Sequence, residues 1–131
     1  MRFRSSIFAV SLTCLGVGQV AHAQDAPTYL ECKMDRGRGE SSIIYKISTA
    51  KGDWFYWDSR SSTWYDICGY GGCTKKMTST MFTYESNVVG SWSMRTINRL
   101  TGEYRYYDLS RSEPTIGKCT AIKSPEPKPL F

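Results

Sequence analysis

The feature that most constrains the fold is a regular alternation of short strand-type runs and turn-type breaks. Most of the runs are rich in Tyr, Trp, Ile, Thr or Phe, and eight of them span residues 29–34, 42–48, 54–58, 63–68, 80–85, 91–98, 103–109 and 117–122. Clusters of Gly, Asp, Ser and Arg separate them, and no segment has the apolar spacing of a helix. The sequence predicts an all-β fold, a small antiparallel meander that is barrel-like.

The first 23 residues have the pattern of a secretory signal peptide. Arg2 and Arg4 form a basic start, residues 7–20 are apolar, and Ala21-His22-Ala23 is a small-residue cleavage site. The apolar stretch, roughly 14 residues, is short for a membrane-spanning helix, which needs about 20. We therefore expect cleavage of residues 1–23 and no transmembrane span in the mature chain.

Behind the leader we expect a single β domain over residues 24–123 and a Pro-rich C-terminal tail over 124–131. The tail contains three prolines, which keep it out of a sheet interior. Because a signal peptide directs export, we expect a periplasmic or secreted protein. The formal net charge of +5 comes from scattered basic residues, so no nucleic-acid partner is expected. Arg95 and Arg105 are predicted to lie near each other if their strands pair as a hairpin.

Five cysteines are present, and one of them, Cys14, belongs to the leader. The remaining four are typical of two disulfides in a short exported chain, since a zinc site would need paired CxxC spacings that are absent. Four cysteines allow three connectivities. Cys68 and Cys73 flank a Gly-rich span, whereas Cys32 and Cys119 lie in the first and last predicted strands. We predict the pairs Cys68–Cys73 and Cys32–Cys119.

The single histidine, His22, also lies in the leader. Its removal excludes Ser-His-Asp and Cys-His nucleophilic chemistry as well as zinc sites with histidine ligands. Carboxylates are then the conventional acid–base groups, and a glycosidase needs two of them about 5–10 Å apart. We expect no enzymatic activity, no metal and no cofactor, with a carboxylate-based hydrolase retained as an alternative.

The densest chemical signal is a cluster of aromatic residues across one predicted hairpin. Its members are Trp54, Phe55, Tyr56, Trp57, Trp64 and Tyr65. Alternation along a strand places Trp54 and Tyr56 on one face and Phe55 and Trp57 on the other. One face must be core, and the other is a candidate binding surface. The predicted ligand-binding residues are therefore Trp54, Tyr56, Trp57 and Trp64, with at least one of Trp54 and Trp57 accessible. The alternative is that these rings only fill and cover the barrel.

The second half contains an Ile-Asn-Arg-x-Thr-Gly-x-Tyr hairpin over residues 97–104 and a final Gly-x-Cys over 117–119. In the hairpin, Gly102 is predicted to have a positive φ. With the Trp-rich centre, this order of features resembles a class of small, uncharacterised, exported, disulfide-containing β proteins of Gram-negative bacteria, a resemblance that implies no activity. The chain is more weakly similar to small periplasmic β-barrel inhibitors of c-type lysozyme, but their inhibitory-loop signature is not recognisable here.

Together these features predict an exported, non-enzymatic binding or structural module. Its ligand or partner is not specified by the sequence, and a glycan, a lipid or an envelope protein would each suit an aromatic surface. A periplasmic inhibitor of a cell-wall hydrolase, acting through an inserted loop, is the first alternative. The carboxylate-based hydrolase is the second.

Overall fold

The computed structural model describes residues 26–35, 37, 39–69 and 71–126, and in this part of the chain it contains strands and no helix. The strands are β1 (Thr28–Asp35), β2 (Glu40–Ser48), β3 (Asp53–Asp58), β4 (Thr63–Asp66), β5 (Cys73–Met77), β6 (Met81–Val88), β7 (Ser91–Asn98), β8 (Glu103–Asp108) and β9 (Thr115–Ile122). The predicted all-β class is confirmed. The predicted leader and the last five residues of the predicted tail lie outside the described residues.

The nine strands form one antiparallel sheet in the order β4-β3-β2-β1-β9-β8-β7-β6-β5. It consists of two meanders, β1 to β4 and β5 to β9, that are joined where β1 pairs with β9. Because every step is antiparallel, the two edge strands β4 and β5 run in the same direction. Residues 67–72 connect these edges, and Lys75 Nζ lies 3.4 Å from Asp66 Oδ1 between them. The sheet thus curls into a half-barrel, as the meander pattern predicts.

The core lies on the concave face of this curled sheet. Trp54 of β3 meets Phe82 and Tyr84 of β6, with ring centroids 6.2 Å apart in both pairs. The buried apolar and aromatic residues are Cys32, Met34, Tyr45, Ile47, Trp54, Ile67, Phe82, Tyr84, Ile97, Tyr104 and Cys119. Contacts between β3 and β6, which are distant in the sheet order, show that the curl of the sheet encloses the core.

Two disulfides hold the curled sheet, and both predicted pairs are confirmed. Cys32 and Cys119 are direct partners in the β1–β9 register, with Cα atoms 3.9 Å apart, and they join the two meanders. Cys68 and Cys73 are five residues apart in sequence and close the connection between the edge strands. One bridge therefore fixes the centre of the sheet and the other fixes its edges.

Each predicted run overlaps an observed strand, with bounds that shift by up to three residues. Gly102 has a φ of +73° in the β7–β8 turn, as predicted. The run predicted over 63–68 ends as a strand at Asp66, since the Asp66 carboxylate accepts the N–H of Cys68 at 2.8 Å and the chain turns there. Strand β5 was not predicted, because its sequence, CTKKM, lacks the alternation and aromatic content of the other strands.

Candidate functional site

The predicted aromatic site is divided between the two faces of the sheet. Trp54 and Tyr56 lie on the concave face, where Tyr56 stacks on Tyr65 with centroids 5.7 Å apart. Trp54 is 0% exposed, so it belongs to the core. This is a correction to the predicted site: a fully buried ring offers no surface to a ligand. Phe55 and Trp57 point to the convex face and are half-buried there.

On the convex face, side chains from β1 to β4 form a cluster that we name the outer aromatic patch; its members are Tyr29, Lys46, Phe55, Trp57 and Trp64. Strand register produces it, since Lys46 lies beside both Tyr29 and Phe55, and Trp57 lies opposite Trp64. The Trp57 and Trp64 centroids are 5.0 Å apart, and those of Tyr29 and Trp64 are 5.8 Å apart. All five residues are half-buried.

Two charged groups contact the rings of the outer aromatic patch. Lys46 Nζ lies 5.6 Å from the ring centroid of Phe55 and 5.2 Å from that of Trp64, within cation–π range. Trp64 Nε1 donates a hydrogen bond to Glu126 Oε1. The patch therefore offers ring faces together with an ammonium and a carboxylate. Its sequence-predicted members are Trp57 and Trp64.

The convex-face members that the sequence did not predict come from distant parts of the chain. Tyr29 and Lys46 lie in predicted strands, but only the β1–β2 and β2–β3 registers bring them beside the tryptophans. Glu126 lies in the predicted tail, whose described start contacts the patch through this residue. The sequence carried no signal for this contact, because a Pro-rich tail has no periodicity that assigns it to a face.

The carboxylates in or beside the strands serve local structure. Each of the following accepts from a neighbouring donor: Asp58, Asp66, Glu85, Glu103 and Asp108. The pKa of Asp58 is lowered by the N–H of Arg60, its largest effect, and by the hydroxyl of Ser61. Within the described ranges, no group of three or more His, Cys, Asp or Glu residues is arranged to hold a metal ion.

Arg95 and Arg105 lie on paired strands but on opposite faces of the sheet. The two strands pair as the sequence suggested, but Thr96, not Arg95, is the register partner of Arg105, so the two side chains point to opposite faces. Arg105 points outward and its Nε lies 2.6 Å from Glu103 Oε1. Arg95 points into the concave face, where the sequence had indicated only scattered surface charge. A one-residue offset in a hairpin reverses the face, which accounts for the difference.

Comparisons with protein-family models, curated proteins and solved structures gave no match. Over the part of the chain that the structure describes, no helix is long and apolar enough to cross a membrane. The function must therefore be inferred from the contacts of this chain itself.

Proposed function

We propose that this protein is an exported, non-enzymatic binding module that holds a carbohydrate chain against the outer aromatic patch. The observation that carries the proposal is the grouping of aromatic rings on the convex face, away from the core. Trp57 and Trp64 are in ring contact there, and neither belongs to the buried core on the concave face. Large rings gathered on a surface and left partly open to solvent are a common feature of binding sites.

The chemistry of the patch favours a sugar over a purely apolar ligand. The faces of Tyr29, Trp57 and Trp64 carry the negative side of the ring quadrupole, which attracts the C–H groups of a pyranose ring. Lys46 and Glu126 supply a donor and an acceptor beside these rings for hydroxyl and amide groups. A few polar groups among aromatic walls are typical of sites that orient a polar ligand.

A lipid surface fits the same residues less well. Binding to an anionic membrane relies on several basic side chains around projecting apolar ones. The outer aromatic patch contains one basic side chain, Lys46, and its rings are half-buried rather than projecting. The negative charge of Glu126 beside the indole would oppose contact with anionic headgroups.

Export and an oxidising environment are part of the proposal. The two disulfides indicate an oxidising, extracytoplasmic compartment. The leader-like pattern of residues 1–23 supports export, and we expect the mature protein to begin at Gln24. Expression of the full chain in a Gram-negative host, followed by fractionation and N-terminal sequencing, tests this part. Retention of residues 1–23 on the oxidised protein would contradict it.

Binding is tested with a soluble oligosaccharide of β-1,4-linked N-acetylglucosamine as the probe, followed by tryptophan fluorescence and calorimetry. We expect saturable binding by the wild type and an affinity loss of about tenfold or more in Trp64→Ala. Trp92→Ala is the matched control. Trp92 is a half-buried tryptophan that donates to Glu85 Oε1 at 2.8 Å, but it lies outside the patch on β7.

The outcomes separate the proposal from its alternatives. Equal losses in Trp64→Ala and Trp92→Ala would indicate a general effect on the fold and would overturn the assignment of the patch. Binding to anionic phospholipid vesicles without binding to the oligosaccharide would favour a lipid ligand and would also overturn it. Thermal unfolding of each variant shows whether the fold is retained.

A further inference from the structure

A row of polar and aromatic side chains crosses the concave face at the level of Arg95. Its members are direct partners in successive strand pairs: Lys75, Tyr84, Arg95, Tyr106 and Thr115. Arg95 lies at the centre of this row. Below it the concave face is apolar, since the neighbouring row contains residues such as Phe82 and Ile97. A charged group thus sits directly above the core.

The Arg95 guanidinium lies over the rings of two tyrosines, which flank it on the neighbouring strands β6 and β8. Its Cζ lies 5.3 Å from the ring centroid of Tyr84 and 5.4 Å from that of Tyr106. Burial, the largest effect, acts to lower the pKa of Arg95, but the phenol groups of Tyr45, Tyr104, Tyr84 and Tyr106 together raise it. Arg95 is therefore a half-buried side chain that keeps its positive charge.

Within the described residues, the Arg95 guanidinium has no hydrogen-bond acceptor. It takes part in none of the ion pairs between described residues, and none of the hydrogen bonds among them begins at its guanidinium. Three other arginines, one in β8 and two in the connections on either side of it, donate to a carbonyl, a carboxylate and a hydroxyl, respectively: Arg99, Arg105 and Arg111. A guanidinium has five N–H donors. Among the described residues, Trp54 Nε1 is the one buried side-chain donor or acceptor without a partner, so the unbonded donors of Arg95 reach solvent and are open to a ligand.

The rim next to Arg95 is polar and open. Ser86 and Ser93 are register partners in the next row, and the row continues to Asp108, whose carboxylate accepts the N–H of Ser110 at 2.8 Å. A cleft of about 320 Å³ lies at this rim; its walls include Ser93, Tyr106 and Asp108 but not Arg95, which lies one row further into the concave face. This volume is roughly ten times that of one water molecule in the liquid.

We propose that Arg95 is the anchor of a second ligand site, which binds a carboxylate or phosphate group edge-on within the concave face. The rings of Tyr84 and Tyr106 lie within cation–π range of the guanidinium, and its N–H donors are left for a ligand. Two oxygens of one oxyanion match the N–H edge of a guanidinium in a bidentate arrangement. The hydroxyls of Ser86 and Ser93 lie on the side from which the oxyanion would enter.

This site and the outer aromatic patch lie on opposite faces of the sheet, so each proposal can fail without the other. The anion site is tested by nuclear magnetic resonance on the oxidised, ¹⁵N-labelled protein, by following the Nε–Hε signal of Arg95. Sodium acetate and sodium phosphate are the probes, and sodium chloride at equal ionic strength is the reference. We expect a saturable shift with acetate or phosphate and none with chloride; the stronger of the two identifies the preferred oxyanion.

Variants assign the site to this residue. Arg95→Met should abolish saturable binding, and Arg95→Lys should weaken it by about tenfold, since an ammonium keeps the charge but loses the planar fork. Arg99→Met is the matched control, because Arg99 also lies over a ring, 4.7 Å from the Phe82 centroid, but donates to the carbonyl of Thr78.

Identical responses to all three salts in the wild type would overturn the proposal without any variant. Loss of binding in Arg99→Met as large as in Arg95→Met would overturn it as well. Retained oligosaccharide binding in Arg95→Met would show that the outer aromatic patch is intact.

Discussion

Replacing Gly102 by alanine should destabilise the domain through two separable effects. The residue has a φ of +73°, a conformation that costs a residue with a Cβ about 1–2 kcal/mol. A Cβ at this position would also lie 2.6 Å from the carbonyl oxygen of Cys119, which is backbone and cannot rotate away. Separating the turn from β9 adds about 1–3 kcal/mol, so the total expected loss in the free energy of unfolding is about 2–5 kcal/mol.

Gly52→Ala is the control that isolates the first effect. Gly52 has a φ of +69°, but its Cβ would have no heavy atom within 4 Å. This variant should lose only the conformational part, about 1–2 kcal/mol. The difference between Gly102→Ala and Gly52→Ala then measures the collision with Cys119.

Urea unfolding of the oxidised proteins, followed by tryptophan fluorescence, provides the measurement, because small domains with intact disulfides usually unfold in one step. Each kcal/mol should also lower Tm by about 4–8 °C in a domain of this size. If Gly102→Ala proved as stable as Gly52→Ala, the turn would not pack against β9 as described. A changed m-value would mean that the two free energies cannot be compared directly.

The disulfides, the core and one of the turns can each be tested by substitution. Cys119→Ser should lower the free energy of unfolding, measured in urea, by about 4–5 kcal/mol, and Cys73→Ser should lower it by about 2 kcal/mol. The difference is expected because the two disulfides span sequence separations of 87 and 5. Equal losses would contradict this. Trp54→Ala should cost about 3–5 kcal/mol as a buried ring, and Trp57→Ala clearly less in the same assay. Asp58→Asn should be less stable than the wild type near pH 7, and the two Tm values should converge as pH falls below 3.8 through the lowered pKa of Asp58; a constant gap would refute the link.

The sequence predicted the strands well because their signal is local. Runs such as 91–98 carry alternation and end in turn residues, and β7 occupies that range. Strand β5 was missed because its two lysines do not resemble a half-buried strand. Lysines do suit an edge strand, where their charge prevents pairing with another sheet, but the sequence does not show that this segment lies at an edge. Cys73 was accordingly predicted in the correct disulfide but in no strand.

The candidate sites were predicted less completely, because they depend on which face of each strand is covered. Alternation separated Trp54 from Trp57, but the contacts of Trp54 with β6, which identify the core face, connect parts of the chain about thirty residues apart. Arg95 was missed for the same reason. Nothing within its own strand indicates that Tyr84 and Tyr106 flank it.

Because the first strand pairs with the last, the sheet is complete only when the C-terminal strand is in place. Strands β1 to β4 can assemble as soon as they emerge, since each pairs with its neighbour in sequence. One edge of β1 then stays open until β9 arrives, when Cys32 meets Cys119. Until then the folding chain presents an unpaired strand edge and a free Cys32 thiol, features that favour aggregation and mispaired bridges.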